Sequence, residues 1–230
     1  MPQITEHVQQ NLPEWVSPSR TALCVIDIQV DFAAPDGLMA SFGVDMTSVP
    51  AAVEKSGALV EGARAAGVPV VFIGLQTTAE ADSTVWTQRL RRREGNPELE
   101  SAVCRAGTRG ADFFGPQPGP AEPVVYKRKY SGFYETSLED ILSGLDVDTL
   151  VVCGLTTECC VDSTVRDAFH RDFNVFVVAD ATAAYGSALH DSSLETLDLN
   201  FAMLTTTADT LSAWQSQSDQ ALSTQQVTHV

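Results

Sequence analysis

The chain has few cations. Fourteen Lys and Arg stand against thirty Asp and Glu, a formal net charge of −16 over 230 residues. Nucleic acid and anionic membrane surfaces require basic patches, so neither is expected as a partner. An acidic substrate would be repelled at long range and would need a local cationic or amide contact. Histidine is also scarce: His7, His170, His190 and His229 are scattered. No C-x-x-C or His-x-x-x-His pair marks a zinc site, and no metal is expected. No glycine cluster reads as G-x-G-x-x-G or a P-loop after a strand, so no nucleotide cofactor is expected. No apolar run approaches membrane-spanning length, and Met1 to Arg20 lacks the pattern of a secretory signal. The five cysteines are odd in number, and Cys24 and Cys153 fall inside apolar runs. A reduced, cytoplasmic setting is the simplest expectation.

What the chain does have is alternation. Near-continuous apolar runs at Thr21–Ile28, Val68–Leu75, Val124–Lys127, Val147–Cys153, Asn174–Asp180 and Phe201–Leu204 have the length and β-branched content of buried strands. Between them lie helical segments, the clearest being Val49–Ala66, closed by Gly67. Strand alternating with helix predicts a three-layer α/β/α sandwich around a doubly wound, mainly parallel six-stranded sheet. Residues 1–20 read as an N-terminal arm, 21–215 as one domain, and 216–230 as a Gln/Ser/Thr-rich disordered tail. Residues 77–96 read as irregular or partly helical. They carry the one basic run, Arg89, Arg91, Arg92 and Arg93, a solvated helix face or an intersubunit ion-pair surface by composition, with substrate contact as the less favoured reading.

Three strand ends carry polar groups that do not belong in a core: Asp27, Lys127 and, after the fourth strand, Cys160. Strand C-termini in such a sheet converge on the edge where ligands bind. Thr157 reads as a helix N-cap, which sets Cys160 at the third helical position. There the helix dipole and a lysine cation favour thiolate. A carboxylate nearby can accept a proton and later deliver it to a leaving amine. The competing readings are a small buried cysteine and a structural Asp–Lys ion pair.

Val25-Ile26-Asp27-Ile28-Gln29-Val30-Asp31-Phe32, Lys127-Arg128-Lys129-Tyr130-Ser131-Gly132-Phe133 and Gly154-Leu155-Thr156-Thr157-Glu158-Cys159-Cys160-Val161 resemble three motifs of the isochorismatase-like cysteine hydrolases. The resemblance runs in order from about Thr21 to Leu211. It implies a catalytic Asp–Lys–Cys triad at Asp27, Lys127 and Cys160. The position before the motif valine selects Cys160 over Cys159, and the spacing to Ser-Gly-Phe selects Lys127 over Lys129. It further implies a cis peptide between Leu155 and Thr156, and an oxyanion hole from the Thr156 and Cys160 amides.

Nicotinamidases of this family carry metal-binding histidines after the second strand. Here that place reads Gly74-Leu75-Gln76-Thr77-Thr78. Within the family the chain looks most like ureidoacrylate amidohydrolases. That implies a metal-independent amidohydrolase cleaving a small C–N amide, a terminal ureido or carbamoyl group, through a thioester with release of ammonia. Gln76 and Asn200 are the candidate substrate contacts, since a carboxamide both donates and accepts. A homo-oligomer, dimer or tetramer, is expected, with a small-molecule substrate. The alternatives are another family hydrolase, acting on a simple amide, nicotinamide or an isochorismate-like compound, and a redox-sensing or binding protein on the same scaffold. Adjacent Cys159 and Cys160 motivate the last.

Overall fold

Six strands form one sheet in a computed structural model that describes residues 5–227. They are β1 (Thr21–Ile26), β2 (Val70–Leu75), β3 (Val124–Lys127), β4 (Thr149–Leu155), β5 (Asn174–Ala183) and β6 (Met203–Thr205). Every pairing is parallel, and the order is β3-β2-β1-β4-β5-β6. The order reverses between β1 and β4. A crevice opens at that point, outside the strands' carboxyl ends.

Ten helices accompany the sheet among the described residues: α1 (Glu6–Trp15), α2 (Val30–Ala33), α3 (Leu38–Ser41), α4 (Val49–Ala66), α5 (Thr84–Arg92), α6 (Pro97–Glu100), α7 (Leu138–Gly144), α8 (Asp162–Phe169), α9 (Ser187–Asn200) and α10 (Thr207–Val227). The strands are buried on both faces, which explains their unbroken apolar sequence. Alternate residues of β1 serve opposite layers. Leu23 and Val25 pack with Leu12 of α1, Leu59 of α4 and Trp214 of α10. Ala22, Cys24 and Ile26 pack with Leu142 of α7, Val165 of α8 and Leu194 of α9. Helix α4 ends as its sequence predicts: Gly67 sits at φ 74°, where a Cβ is costly.

The amino-terminal arm packs into the core instead of lying outside it. The arm is a helix, capped by Thr5 through a 3.3 Å bond from the Val8 amide. Its Leu12 and the following Val16 are core residues, and Trp214 Nε1 donates to Val16 O at 3.1 Å. Polar residues between those apolar positions hid the one buried face. At the other end, α10 spans Thr207–Val227. Residues 1–4 and 228–230 of the expected arm and tail lie outside the described residues. Among the described residues, no helix is long and apolar enough to cross a membrane.

Gly154 is the tightest point of the sheet. It lies at φ 125° opposite Ile26, and a Cβ there would stand 2.0 Å from Ile26 O. The strained φ and the backbone clash together cost about 3–5 kcal/mol. Gly154→Ala should therefore lower Tm by roughly 10 °C or more in a thermal melt. A wild-type Tm would contradict the packing described here.

Candidate active site

Asp27 follows β1 directly. Its φ of 49° is in the left-handed region, rare for a non-glycine residue, and turns the chain out of the strand. The amide still belongs to the sheet, donating to Ile73 O at 2.8 Å. The carboxyl is fully buried, and Oδ2 accepts from Lys127 Nζ at 2.7 Å. Oδ1 is buried without a hydrogen-bond partner among the described residues.

Lys127 ends β3, two strands away. The same Nζ lies 3.3 Å from Cys160 Sγ and 3.1 Å from Lys129 O. The ammonium therefore stands between a carboxylate and a thiol, with no exposure to water. Lys129 is not in that position; its Nζ sits over the Trp86 ring.

Cys160 arrives on one turn of π-helix, Thr157–Val161, between β4 and α8. The peptide between Leu155 and Thr156 is cis. Thr157 is not the N-cap that its position suggested. Thr156 occupies that place, and the Thr157 hydroxyl is taken by His190 Nδ1 of α9 at 2.8 Å. Ser193 Oγ donates to Thr157 O at 3.2 Å, so α9 holds the turn from outside. On its other side, Thr164 Oγ1 donates to Cys160 O at 2.7 Å and accepts from Gly132 N at 2.9 Å. One hydroxyl thus ties the cysteine turn to the segment following Lys127.

Electrostatics correct one expectation. The thiol of Cys160 is held well above its ordinary value: contact with Cys159, burial and the Asp27 charge outweigh Lys127. The helix terminus and the lysine do not by themselves give a resting thiolate, because Asp27 already neutralises that lysine. Burial also raises the Asp27 carboxyl, against the opposing pull of Lys127 and the Cys160 thiol. Burial alone would depress Lys127, but the Asp27 carboxylate and the Cys160 sulfur beside it reverse this and keep it an ammonium. The site is a neutral ion pair beside a protonated thiol, with short routes between all three.

Gln29 holds this arrangement in register. It is buried; its Nε2 donates to Leu75 O at 2.9 Å and Ala111 O at 2.8 Å, while Oε1 accepts from Leu75 N at 2.7 Å. It thus fixes the end of β2, next to Lys127 on β3. Neither Gln29 nor Thr164 was expected to contribute to the site. A glutamine inside an apolar stretch was the available signal for the first.

Cys160 opens on a cavity of about 260 Å³. Thr156, Cys159 and Tyr185 line it from the sheet side, and Trp86, Arg89 and Tyr130 from the side of α5 and the lysine segment. The stretch expected to be irregular or partly helical is thus helical where it meets the site, and its arginine run is partly a cavity wall. Gln76 is half-buried at the carboxyl edge, its backbone N–H donating to Lys127 O at 2.9 Å, but it does not line the cavity. Asn200 is not brought to the site. It closes α9, is exposed, and donates to Thr196 O at 3.0 Å. A helix returning to the next parallel strand ends at the sheet's amino edge, opposite the triad. There Asn200 lines a separate hollow with Asn174 and Phe201. The expectation that it contacts substrate is corrected on that ground.

Residues 21–209 match the Isochorismatase domain family. The chain belongs to that family. Its similar relatives include ureidoacrylate amidohydrolase RutB of Methylobacterium radiotolerans, 32% identical over 208 residues, covering 85% of this chain and 80% of the relative. RutB of Pseudomonas syringae pv. syringae is 33% identical over 187 residues, covering 76% and 75%. Among solved structures, a cysteine hydrolase from Pseudomonas syringae pv. phaseolicola superposes with a TM-score of 0.76 at 26% identity, covering 94% of this chain and 99% of that one. N-carbamoylsarcosine amidase from Thermoplasma acidophilum gives 0.64 at 25% identity, covering 82% and 96%.

Proposed function

We propose that this isochorismatase-family protein is a metal-independent cysteine amidohydrolase acting on a terminal ureido or carbamoyl group. The observation that carries this reading is Lys127 Nζ, 2.7 Å from Asp27 Oδ2 and 3.3 Å from Cys160 Sγ, at the floor of a small cavity. Ureidoacrylate and N-carbamoylsarcosine, the substrates in the relatives' names, both offer such a group. Asp27 takes the thiol proton as Cys160 Sγ attacks the carbonyl carbon, with Lys127 stabilising the anionic sulfur. The amides of Thr156 and Cys160 face the developing oxyanion. As the tetrahedral adduct collapses, Asp27 returns the proton to the departing nitrogen and ammonia leaves. The acyl group stays on sulfur as a thioester, a thiocarbamate for a ureido carbonyl. Water, activated by Asp27, releases it and restores the thiol.

The donor set supports metal independence. Among the described residues, no three His, Cys, Asp or Glu side chains are grouped to hold an ion. Gly74 to Thr78 supplies no histidine. The experiment is to dialyse the protein against chelator and assay ammonia from ureidoacrylate, biuret, N-carbamoylsarcosine and nicotinamide. Turnover of a ureido or carbamoyl compound without added metal is expected. Activity confined to nicotinamide, or lost on chelation and restored by metal, would overturn the reading.

The pH profile follows from burial of Asp27. The base form is needed, and its pKa is raised, so activity is lost sooner on acidification than for an ordinary carboxylate. The acid limb of kcat/KM should lie above the ~4 of a solvated aspartate. A limb at or below that value would argue against Asp27 as the base.

A further inference from the structure

In so acidic a chain, cations without a carboxylate partner are conspicuous. Nine of the fourteen Lys and Arg have one within ion-pair distance: Arg20, Lys55, Arg64, Arg105, Arg109, Lys127, Arg128, Arg166 and Arg171. The remaining five are Arg89, Arg91, Arg92 and Arg93, in or just after α5, and Lys129, over the Trp86 ring. Among the described residues, the cations without a carboxylate partner are thus gathered on and beside α5, whose Arg89 lines the cavity. Trp86, Arg89 and Leu90 line that wall, at the spacing of one helix face.

Arg89 is free although acids are at hand. Glu100 and Glu158 line the same cavity, yet neither is within ion-pair distance of it among the described residues. Glu100 Oε1 instead accepts from Asn96 N at 2.8 Å. Burial pushes the Glu158 carboxyl up, toward its neutral form. Lys127 is fully engaged with Asp27, Cys160 and Lys129 O. Arg89 is therefore the cation in the cavity wall left to meet a ligand. A guanidinium beside aromatic rings matches a planar carboxylate, to which it can donate two bonds.

We infer that Arg89 is a specificity-determining residue that binds a carboxylate on the substrate, so that the preferred substrates are small ureido acids rather than neutral ureas or amides. This rests on the amidohydrolase reading above and names its substrate class. It also resolves the difficulty set by the net charge: an anion repelled by the whole protein meets its local cation at the cavity mouth.

The test uses 3-ureidopropionate and its neutral methyl ester. Calorimetric titration into the full-length Cys160→Ala protein measures binding without turnover. The acid should bind at least ~10-fold more tightly than the ester, the scale of a charge-assisted pair. Arg89→Ala in that background should abolish the difference, and Arg89→Lys should restore part of it. In the Cys160-containing enzyme, Arg89→Ala should raise KM for the acid at least ~10-fold and leave KM for the ester within ~2-fold. Equal binding of the two compounds, a preference that survives Arg89→Ala, or binding of neither would overturn the inference. Ammonia release from acid and ester alike, unaffected by Arg89→Ala, would sink it while leaving the amidohydrolase reading intact. Failure of the enzyme to release ammonia from any ureido compound, with the Arg89-dependent binding preserved, would sink only the reaction.

Discussion

Cys160→Ala should abolish amide hydrolysis and leave the fold in place. The residue is 5% exposed and packs against Val161 and Phe133, so removing its sulfur leaves a small cavity, not a buried charge. Asp27 and Lys127 still neutralise each other at 2.7 Å. The expected cost in stability is about 1–2 kcal/mol, on the scale of one buried methyl-sized group. The rate loss should be about 10⁴-fold or more, since no other group can carry the acyl intermediate. Cys159→Ala is the control. Cys159 shares the cavity wall, but the sulfur that Lys127 Nζ meets at 3.3 Å is that of Cys160, and the Cys159 variant should retain most activity. Ammonia release and a circular dichroism spectrum for both proteins decide the matter. An active Cys160→Ala protein would end the mechanism. Loss of activity in Cys159→Ala with the fold intact would move the nucleophile by one residue.

The second large effect concerns the ion pair. Asp27→Asn and Lys127→Ala should each lower kcat by at least ~100-fold, the scale of positioned acid–base groups. Their consequences for stability differ. Asparagine keeps a neutral acceptor for Lys127 but leaves that ammonium buried without its counter-charge. Alanine at 127 leaves Asp27 buried beside a protonated thiol, and burial then favours its neutral form. Removing one partner of a buried pair costs about 3–5 kcal/mol, so both variants should melt earlier than Cys160→Ala. Lys129→Ala removes a cation from above Trp86 and should lose far less activity. If Lys129 proves essential and Lys127 dispensable, the catalytic lysine lies two residues further along the chain than assigned here.

That Asp27, Lys127 and Cys160 meet was legible in the sequence because polar side chains at the ends of apolar parallel strands converge on one sheet edge, and the resemblance chose Cys160 over Cys159 and Lys127 over Lys129. The same logic misplaced Asn200. It was judged by its neighbours in sequence, but a helix-to-strand junction belongs to the sheet's amino edge. Gln29 and Thr164 were passed over because their value lies in bonds to backbone distant in sequence, at Leu75, Ala111 and Gly132. In the sequence Arg89 is one of a run that favours a solvated or intersubunit face over substrate contact. Only the fold of α5 against the cavity separates it from Arg91 and Arg92. The raised Cys160 thiol could not be inferred from helix position, because it depends on Cys159 and Asp27 meeting it in space.

The central claim is that Cys160 carries the acyl group. Mass spectrometry of the protein quenched in acid during turnover of a ureido compound tests it most directly. The expected result is a peptide containing Cys160, heavier by the mass of the substrate less one ammonia, absent from Cys160→Ala and present in Cys159→Ala. Turnover that proceeds with unmodified Cys160 under conditions that trap thioesters, or an adduct mapped to Cys159, would contradict it.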